Sequence, residues 1–139
     1  MVRILKQKKT SNMQIFYELK INTEGQDIYD FTSKITDWLK KQKIKNGILN
    51  LNILHTSASL ILQENADPNV LHDIKNFFDK LVPMNNNLYK HTTEGIDDMP
   101  AHLKSVLTNS HLTLSIKNKK LILGTWQALY LFEHRLKNQ

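Results

Sequence analysis

The hydrophobic pattern of the first half of the chain predicts alternating strands and helices. Residues 13–21 alternate apolar and polar positions, as expected for a half-buried strand. Apolar residues then recur at helical spacing from Ile28 to Leu39, where Asp27 would cap a helix. Two further strands are predicted over residues 47–54 and 59–63.

The clearest helix is predicted over residues 67–82. Asp67 is a suitable N-cap, Pro68 suits the first turn, and Pro83 follows the end of a continuous apolar stripe. A polar loop over residues 84–97 separates this helix from the next element.

The last third of the chain predicts a short helix followed by a hairpin. Asp97 or Asp98 would cap the helix, and its inward side chains would be Leu103, Val106 and Leu107. The two hairpin strands flank a turn at Asn118–Lys119, where Asn tolerates a positive φ.

Length and composition limit the protein to a few classes. A chain of 139 residues with 40% hydrophobic content predicts one domain over residues 1–139. The absence of cysteine excludes disulfides and thiolate metal sites, and fits a reducing compartment. No apolar segment approaches the roughly 20 residues that a bilayer span requires. We therefore expect a soluble, cytoplasmic protein with no membrane association.

A net charge of +6 would help to attract phosphates, nucleic acid included. The lysines are dispersed, however, and the chain lacks the arginine clusters and interleaved aromatics of a typical nucleic-acid face. The pattern favours solvated lysines at the ends of elements and disfavours a nucleic-acid partner. The lysines concerned are Lys6, Lys8, Lys9, Lys40, Lys41, Lys43, Lys45, Lys117, Lys119 and Lys120.

The first polar cluster interrupts the stretch "LNILHTSASLILQENADP" at residues 51–68. If strand alternation persists from Leu49, His55 emerges on the inward face. His55 then is either a ligand or a core histidine that bonds a backbone carbonyl, while Thr56 and Ser57 are either ligand contacts or turn hydroxyls. Two further residues, Glu64 and Asn65, are harder to explain by structure alone, because Asp67 already caps the following helix.

The second polar cluster is "YKHTTEGIDDMPAHLK", residues 89–104. His91 and His102, with Glu94, could hold a divalent ion such as Zn²⁺ or Mg²⁺, the ligand set that remains when no thiolate is present. Lys104 adds a positive charge. The spacing matches no standard metal motif, so a solvated loop and a capped helix explain the same residues.

A third polar set lies on the last predicted strand. Gln127, Glu133 and Arg135 share parity with Leu129 and Leu131. Charged side chains on an otherwise apolar face of a strand predict that this face contacts a ligand or a neighbouring subunit.

Three segments together resemble the YjbQ-like family, whose members are described as secondary thiamine-phosphate synthases. The segments are "HTSASLILQENADPNVLHDIKNFFDKLVP", "YKHTTEGIDDMPAHLKS" and "LGTWQALYLFEHR", in this order. The chain departs from the family pattern at Ala128, where glycine is usual, and at the turn positions Asn109 and Lys119.

The resemblance implies an α+β fold with a two-sheet β-sandwich, flanking helices and a homotrimer. It also implies one pocket that takes a small phosphorylated molecule, with His111 outside it. The implied catalytic residues are His55, Glu64, His91, Glu94, His102 and Lys104. The implied ligand contacts are Thr56, Ser57, Asn65, Thr125, Gln127, Glu133 and Arg135.

Three functions stay open at this point, the third of them nucleic-acid binding through the basic surface. The first is a metal-assisted enzyme that handles phosphates, with weak thiamine-phosphate synthase activity as the transferase reaction that the resemblance implies. The second is a non-catalytic trimer that binds a phosphorylated metabolite or a metal.

Overall fold

Two antiparallel sheets organise the part of the chain that the computed structural model describes, residues 13–138. The strands are β1 (Asp27–Asp30), β2 (Gly47–Asn52), β3 (Ala58–Glu64), β4 (His111–Lys117), β5 (Lys120–Leu121) and β6 (Gln127–Glu133). The helices are α1 (Thr32–Lys40), α2 (Pro68–Leu81) and α3 (Asp98–Leu107), with a 3₁₀ turn at Asn86–Leu88. The α+β class is therefore confirmed.

The central sheet has the strand order β1-β6-β3, and the outer sheet has the order β2-β4-β5. One face of the central sheet, with Leu60, Leu129 and Leu131, packs toward Leu114 of the outer sheet and toward α1. The opposite face packs toward α2 through a second apolar cluster that includes Phe132. Because it lies between these layers, β6 is buried from residue 128 to residue 133.

Helix α2 forms as its sequence predicts. The Asp67 side chain accepts a hydrogen bond from the backbone N–H of Asn69 at 2.9 Å, and Pro68 occupies the first turn. This bond satisfies one of the N–H groups that a helix leaves unpaired at its N-terminus. The apolar stripe is only partly covered, since Phe77 is 59% exposed and Leu81 is 53% exposed.

The strand predicted over residues 13–21 is wrong. This segment has no regular secondary structure, although Leu19 and Ile21 pack against the core between the sheets. Alternation defines two faces of a segment, but a strand also needs a neighbour that accepts its backbone hydrogen bonds. The described part of this chain provides none for residues 13–21.

The helix predicted from Ile28 begins later than expected. Residues 27–30 instead form β1, which pairs with the end of β6, and α1 starts at Thr32. Asp27 does not cap a helix, because it lies at the start of β1; its carboxylate accepts from Lys75 Nζ at 2.8 Å. Pairing with a buried strand has overridden the helical periodicity of this short segment.

The predicted turn of the terminal hairpin is confirmed, but the prediction for its second strand is wrong. Asn118 and Lys119 adopt φ values of 51° and 64°, as a tight hairpin turn requires. The chain then leaves the outer sheet after Leu121 and enters the central sheet at Gln127.

The prediction of which face of α3 points inward is also wrong. Val106 is 82% exposed and Leu107 is 57% exposed, whereas Asp98 and Lys104 are buried. Within residues 13–138, no helix has the length and apolar character needed to cross a bilayer. Lys6, Lys8 and Lys9 lie outside the described residues, so a single domain over 1–139 stays a prediction.

Candidate functional site

His91, Asp98 and His102 converge at the start of α3, and we call them the open cluster. Asp98 and His102 are four residues apart and so share one face of the helix. Asp98 Oδ2 lies 2.7 Å from His91 Nε2 and 3.3 Å from His102 Nε2. One candidate ligand atom from each of the three side chains lies within 4.8 Å of the other two. The loop before α3 and the helix itself thus bring three donors to one point.

A backbone carbonyl fixes the orientation of the His102 ring. His102 Nδ1 lies 2.9 Å from the carbonyl oxygen of Thr56. Because a carbonyl can only accept, Nδ1 carries the proton, and the neutral ring keeps its lone pair on Nε2. That lone pair is on the nitrogen that faces Asp98, as a metal ligand requires.

Arg135 holds the carboxylate of Asp98 in place. Its Nη1 donates to Asp98 Oδ1, and its Nε donates to Asp97 Oδ2 at 2.9 Å. Burial acts to raise the pKa of Asp98, but the hydrogen bond from His91 and the charge of Arg135 outweigh it and lower that pKa. Asp98 is therefore ionised at neutral pH, with Oδ2 directed at the histidines.

The open cluster is accessible to a ligand. The His91 side chain is 41% exposed and that of His102 is 32% exposed, whereas Asp98 is buried beneath them. Two imidazoles and one carboxylate make a donor set that suits Zn²⁺ and similar divalent ions. Three protein ligands would leave one coordination position for water or substrate, as catalytic zinc sites do.

The sequence prediction placed Glu94 with these two histidines, and the structure places Asp98 there instead. The Glu94 side chain is exposed, and its backbone carbonyl accepts from Arg135 Nη2 at 2.9 Å. Asp97 or Asp98 is predicted to cap α3; Asp97 does occupy the N-cap position, although its side chain makes no capping hydrogen bond. The spacing of Asp98 and His102 by four residues was the signal that could have identified this ligand.

A cavity of about 350 Å³ adjoins the open cluster and shares His102 with it. Its volume lies in the range of ligand pockets, roughly 300 to 1,000 Å³. The other lining residues are His55, Thr56, Ser105, Val106, Thr108 and Ser110. The cavity wall thus offers hydroxyls and imidazoles and carries no carboxylate.

His55 lies at this cavity but not on an inward face, so that prediction is wrong. β2 ends at Asn52, and the alternation does not continue to His55, which is exposed. Its Nδ1 accepts from the backbone N–H of Ser57 at 3.1 Å, which leaves Nε2 to carry the proton of the neutral ring. Ser57 itself is buried and only 3% exposed.

Lys104 belongs to a different group, which we call the closed cluster: Ser59, Asp79, Lys104 and His134. Lys104 is 0% exposed and donates to Asp79 Oδ1 at 2.5 Å. His134 Nε2 lies 2.9 Å from Ser59 Oγ. Burial and the charge of Lys104 lower the pKa of His134 to about 3, so this ring is neutral. The Lys104 ammonium group is enclosed and paired with Asp79, which argues against the catalytic role predicted for it.

Glu133 is also enclosed, which removes the basis for placing it and Arg135 at a subunit contact. The Thr23 hydroxyl donates to Glu133 Oε2 at 3.1 Å, and the backbone N–H of Arg135 donates to Oε1 at 3.0 Å. Both charged residues are satisfied within one chain.

The remaining predicted site residues lie at the far end of the central sheet. Glu64 pairs with Gln127 at one end of the β3–β6 ladder, and Ala58 pairs with Glu133 at the other. Six residues of strand separate these ends, about 20 Å. The group at the far end consists of Glu64, Asn65, Thr125 and Gln127. One chain therefore does not bring all the predicted site residues into one pocket.

Comparison with known proteins agrees with the observed fold. A family model described as "UPF0047 protein YjbQ-like" matches residues 17–139. The chain belongs to this family.

Relatives in the YjbQ-like family extend over most of the chain. The UPF0047 protein sll1880 of Synechocystis is 49% identical over 117 residues, which are 84% of this chain and 80% of the relative. The UPF0047 protein YjbQ of Escherichia coli O157:H7 is 40% identical, over 85% of this chain and 86% of the relative. A crystal structure of a YjbQ/UPF0047 protein from Clostridium acetobutylicum superposes with a TM-score of 0.74 at 31% identity, covering 86% and 95% of the two chains.

Proposed function

We propose that this YjbQ-like protein binds a divalent metal ion at the open cluster and uses it to hold a small phosphorylated molecule. The observation that carries the proposal is the convergence of His91, Asp98 and His102, with 2.7 Å and 3.3 Å between the Asp98 carboxylate and the two Nε2 atoms. The Thr56 carbonyl and Arg135 act as supports that orient the ligands.

The electrostatics of the site support a metal as the main positive charge. Lys104 is enclosed, and Arg135 already pairs with Asp97 and Asp98. Neither side chain is available to neutralise a phosphate, which leaves a bound cation, or the imidazoles acting as direct donors, to do so. The hydroxyls of Thr56 and Ser110 and the N–H of His55 would then contact the rest of the molecule in the adjoining cavity.

Thiamine-phosphate synthase activity is supported by the family resemblance alone. That reaction joins a thiazole phosphate to a pyrimidine methyl diphosphate and releases pyrophosphate. A divalent ion would stabilise the departing charge. The alternative is a non-catalytic metal- or metabolite-binding protein, and turnover of a panel of phosphate esters by the metal-loaded protein separates the two functions.

The homotrimer and the cytoplasmic location stay predictions. The exposed apolar side chains of Phe77, Leu81, Val106 and Leu107 support an assembly, because they give α2 and α3 surfaces that a partner could cover. Light scattering at micromolar concentration tests the trimer, and a mass of 16.2 kDa would contradict it.

Calorimetric titration of the chelator-treated protein with Zn²⁺ tests the metal site. We expect one ion per chain, and we expect Asp98→Asn to weaken binding at least about 100-fold, since it removes the charged ligand. Binding should also weaken in acid, because each imidazole must be neutral to ligate.

Asp73→Asn is the matched control for this titration, because Asp73 is exposed and lies in α2. It should bind Zn²⁺ like the unchanged protein. Equal affinity of the Asp98→Asn variant and the control would contradict the proposed site.

A further inference from the structure

We infer that a lysine-rich corner of the outer sheet docks the phosphate backbone of double-stranded nucleic acid. This lysine corner consists of Lys41, Lys43 and Lys45 after α1 and of Lys117, Lys119 and Lys120 at the β4–β5 hairpin. The inference does not depend on the metal site, because none of these residues belongs to the open cluster or to the cavity.

Tertiary structure joins two lysine runs that are more than 70 residues apart in the chain. The backbone N–H of Lys119 donates to the Lys45 carbonyl at 2.8 Å. The backbone N–H of Asn118 donates to Asn46 Oδ1 at 3.0 Å. These two bonds fasten the hairpin turn to the segment that follows α1. Lys45 is therefore brought next to Lys119, and the hairpin lysines meet the lysine-rich segment that follows α1.

This surface has little compensating negative charge. Residues 38–63 and 99–132, which include all three strands of the outer sheet, contain no Asp or Glu. Within residues 13–138, no ion pair to any of the six corner lysines is present, whereas the neighbouring Lys40 pairs with Asp37 at 3.2 Å. The positive potential of the corner therefore extends into solvent, where it attracts polyanions.

One contact in the corner works against stability. Lys117 lies directly opposite Lys120 across the β4–β5 ladder. Like charges in this cross-strand position destabilise a sheet. A bound anion between the two ammonium groups would turn this repulsion into a favourable contact.

The chemistry around the corner favours nucleic acid over a membrane surface. The solvent face of the outer sheet presents Asn50, Asn52, Thr113 and Ser115, which donate and accept hydrogen bonds. Stable membrane docking needs apolar side chains to insert beside the basic ones. This face exposes two isoleucines, Ile48 and Ile122, on either side of Ser115, and its other exposed side chains named here are polar.

The same face favours duplexes over single strands. Strands β2, β4 and β5 contain no Phe, Tyr or Trp, and the imidazole of His111 lies at the end of β4 away from the corner, so the corner itself provides no ring on which an unpaired base could stack. Lysine contacts to phosphates carry no sequence information. We therefore expect binding that depends on salt and is indifferent to sequence.

Fluorescence anisotropy with a labelled duplex of about 20 base pairs tests the inference. We compare the full-length chain with the double variant Lys117→Gln, Lys120→Gln. Each lost phosphate contact lowers the slope of log affinity against log salt by about 0.9. Both affinities should fall when the salt concentration rises from about 50 to about 200 mM. The factor by which the affinity of the variant falls should be roughly tenfold smaller than the factor for the unchanged protein.

Lys80→Gln, Lys137→Gln is the matched control, because it removes the same charge from exposed positions outside the corner. It should keep the steeper salt dependence. Unfolding by urea should find the Lys117 and Lys120 variant at least as stable as the unchanged protein, so a loss of binding is not a loss of folding.

Three results would overturn the inference. One is the absence of duplex binding at about 50 mM salt. Another is an equal change in the corner variant and the control, which would indicate net charge alone. The third is binding to vesicles of anionic lipid without binding to duplex, which would make the corner a membrane contact.

Discussion

The open and closed clusters share two kinds of side chain and differ in their access to solvent. Both combine imidazole with carboxylate, and α3 contributes to both, through His102 to the open cluster and through Lys104 to the closed one. Two residues along a helix turn a side chain by about 200°, so the two residues point to opposite sides. His102 faces the cavity, whereas Lys104 faces the interior.

This difference determines what each cluster can do. In the open cluster, Asp98 is buried but its two histidines are partly exposed, so a ligand can reach the donor atoms. In the closed cluster, Lys104 and His134 are both 0% exposed. Lys104 instead links α3 to Asp79 of α2, and Gln26 donates to the same carboxylate oxygen at 2.7 Å. The open cluster is suited to binding, and the closed cluster stabilises the packing of the helices.

The largest expected contrast is in the free energy of unfolding. Lys104→Ala should lower it by about 2–4 kcal/mol, because it leaves a void where a fully buried side chain stood; the loss of the ion pair adds little, since the Asp79 side chain is 45% exposed. His91→Ala should lower it by about 1 kcal/mol or less, since that side chain is partly exposed. Urea unfolding measures both values.

For Zn²⁺ affinity we expect the opposite order, with a larger effect of substitution at His91 than at Lys104. His91→Ala should weaken binding at least about tenfold, because it removes a ligand. Lys104→Met keeps the volume of the side chain and should leave the affinity within about twofold. If Lys104→Met weakens Zn²⁺ binding as much as His91→Ala does, the two clusters are not separate.

A smaller contrast is expected in the pH dependence of stability. The pKa of His134 is lowered to about 3 by burial and by Lys104, while an unfolded histidine titrates near 6.5. Below pH 6.5 the unfolded chain binds a proton that the folded chain does not, so stability falls as the pH falls from about 6.5 toward 3.

The His134→Gln variant lacks this titration. Around pH 5, its free energy of unfolding should change with pH less steeply than that of the unchanged protein, by up to about 1.4 kcal/mol per pH unit. Urea unfolding at several pH values measures the two slopes. Equal slopes would mean that His134 is not held neutral.

The smallest effect is expected at His111, which is exposed and belongs to neither cluster. His111→Ala should change the free energy of unfolding by no more than about 0.5 kcal/mol, the usual range for surface positions. It should also leave Zn²⁺ affinity unchanged in calorimetry. A clear loss of affinity would add a histidine to the site that we propose.

Local sequence signals predicted the elements that depend on near neighbours. Asp67 and Pro68 specify the start of α2 through contacts within a few residues. Asn118 and Lys119 specify a tight turn by the same kind of short-range chemistry. The order of three polar motifs identified the family, and His91 and His102 were predicted together because they lie on one short segment.

Tertiary structure decided what depends on distant partners. Residues 13–21 have the pattern of a strand but no neighbour, while residues 27–30 became a strand because β6 accepts them. The orientation of α3 in the fold determined that Asp98 joins the histidines and that Lys104 does not. Hydrogen bonds between residues 45–46 and 118–119 formed the lysine corner. Periodicity specifies which faces a segment has, whereas the chain that packs against it decides which face is buried and which charges meet.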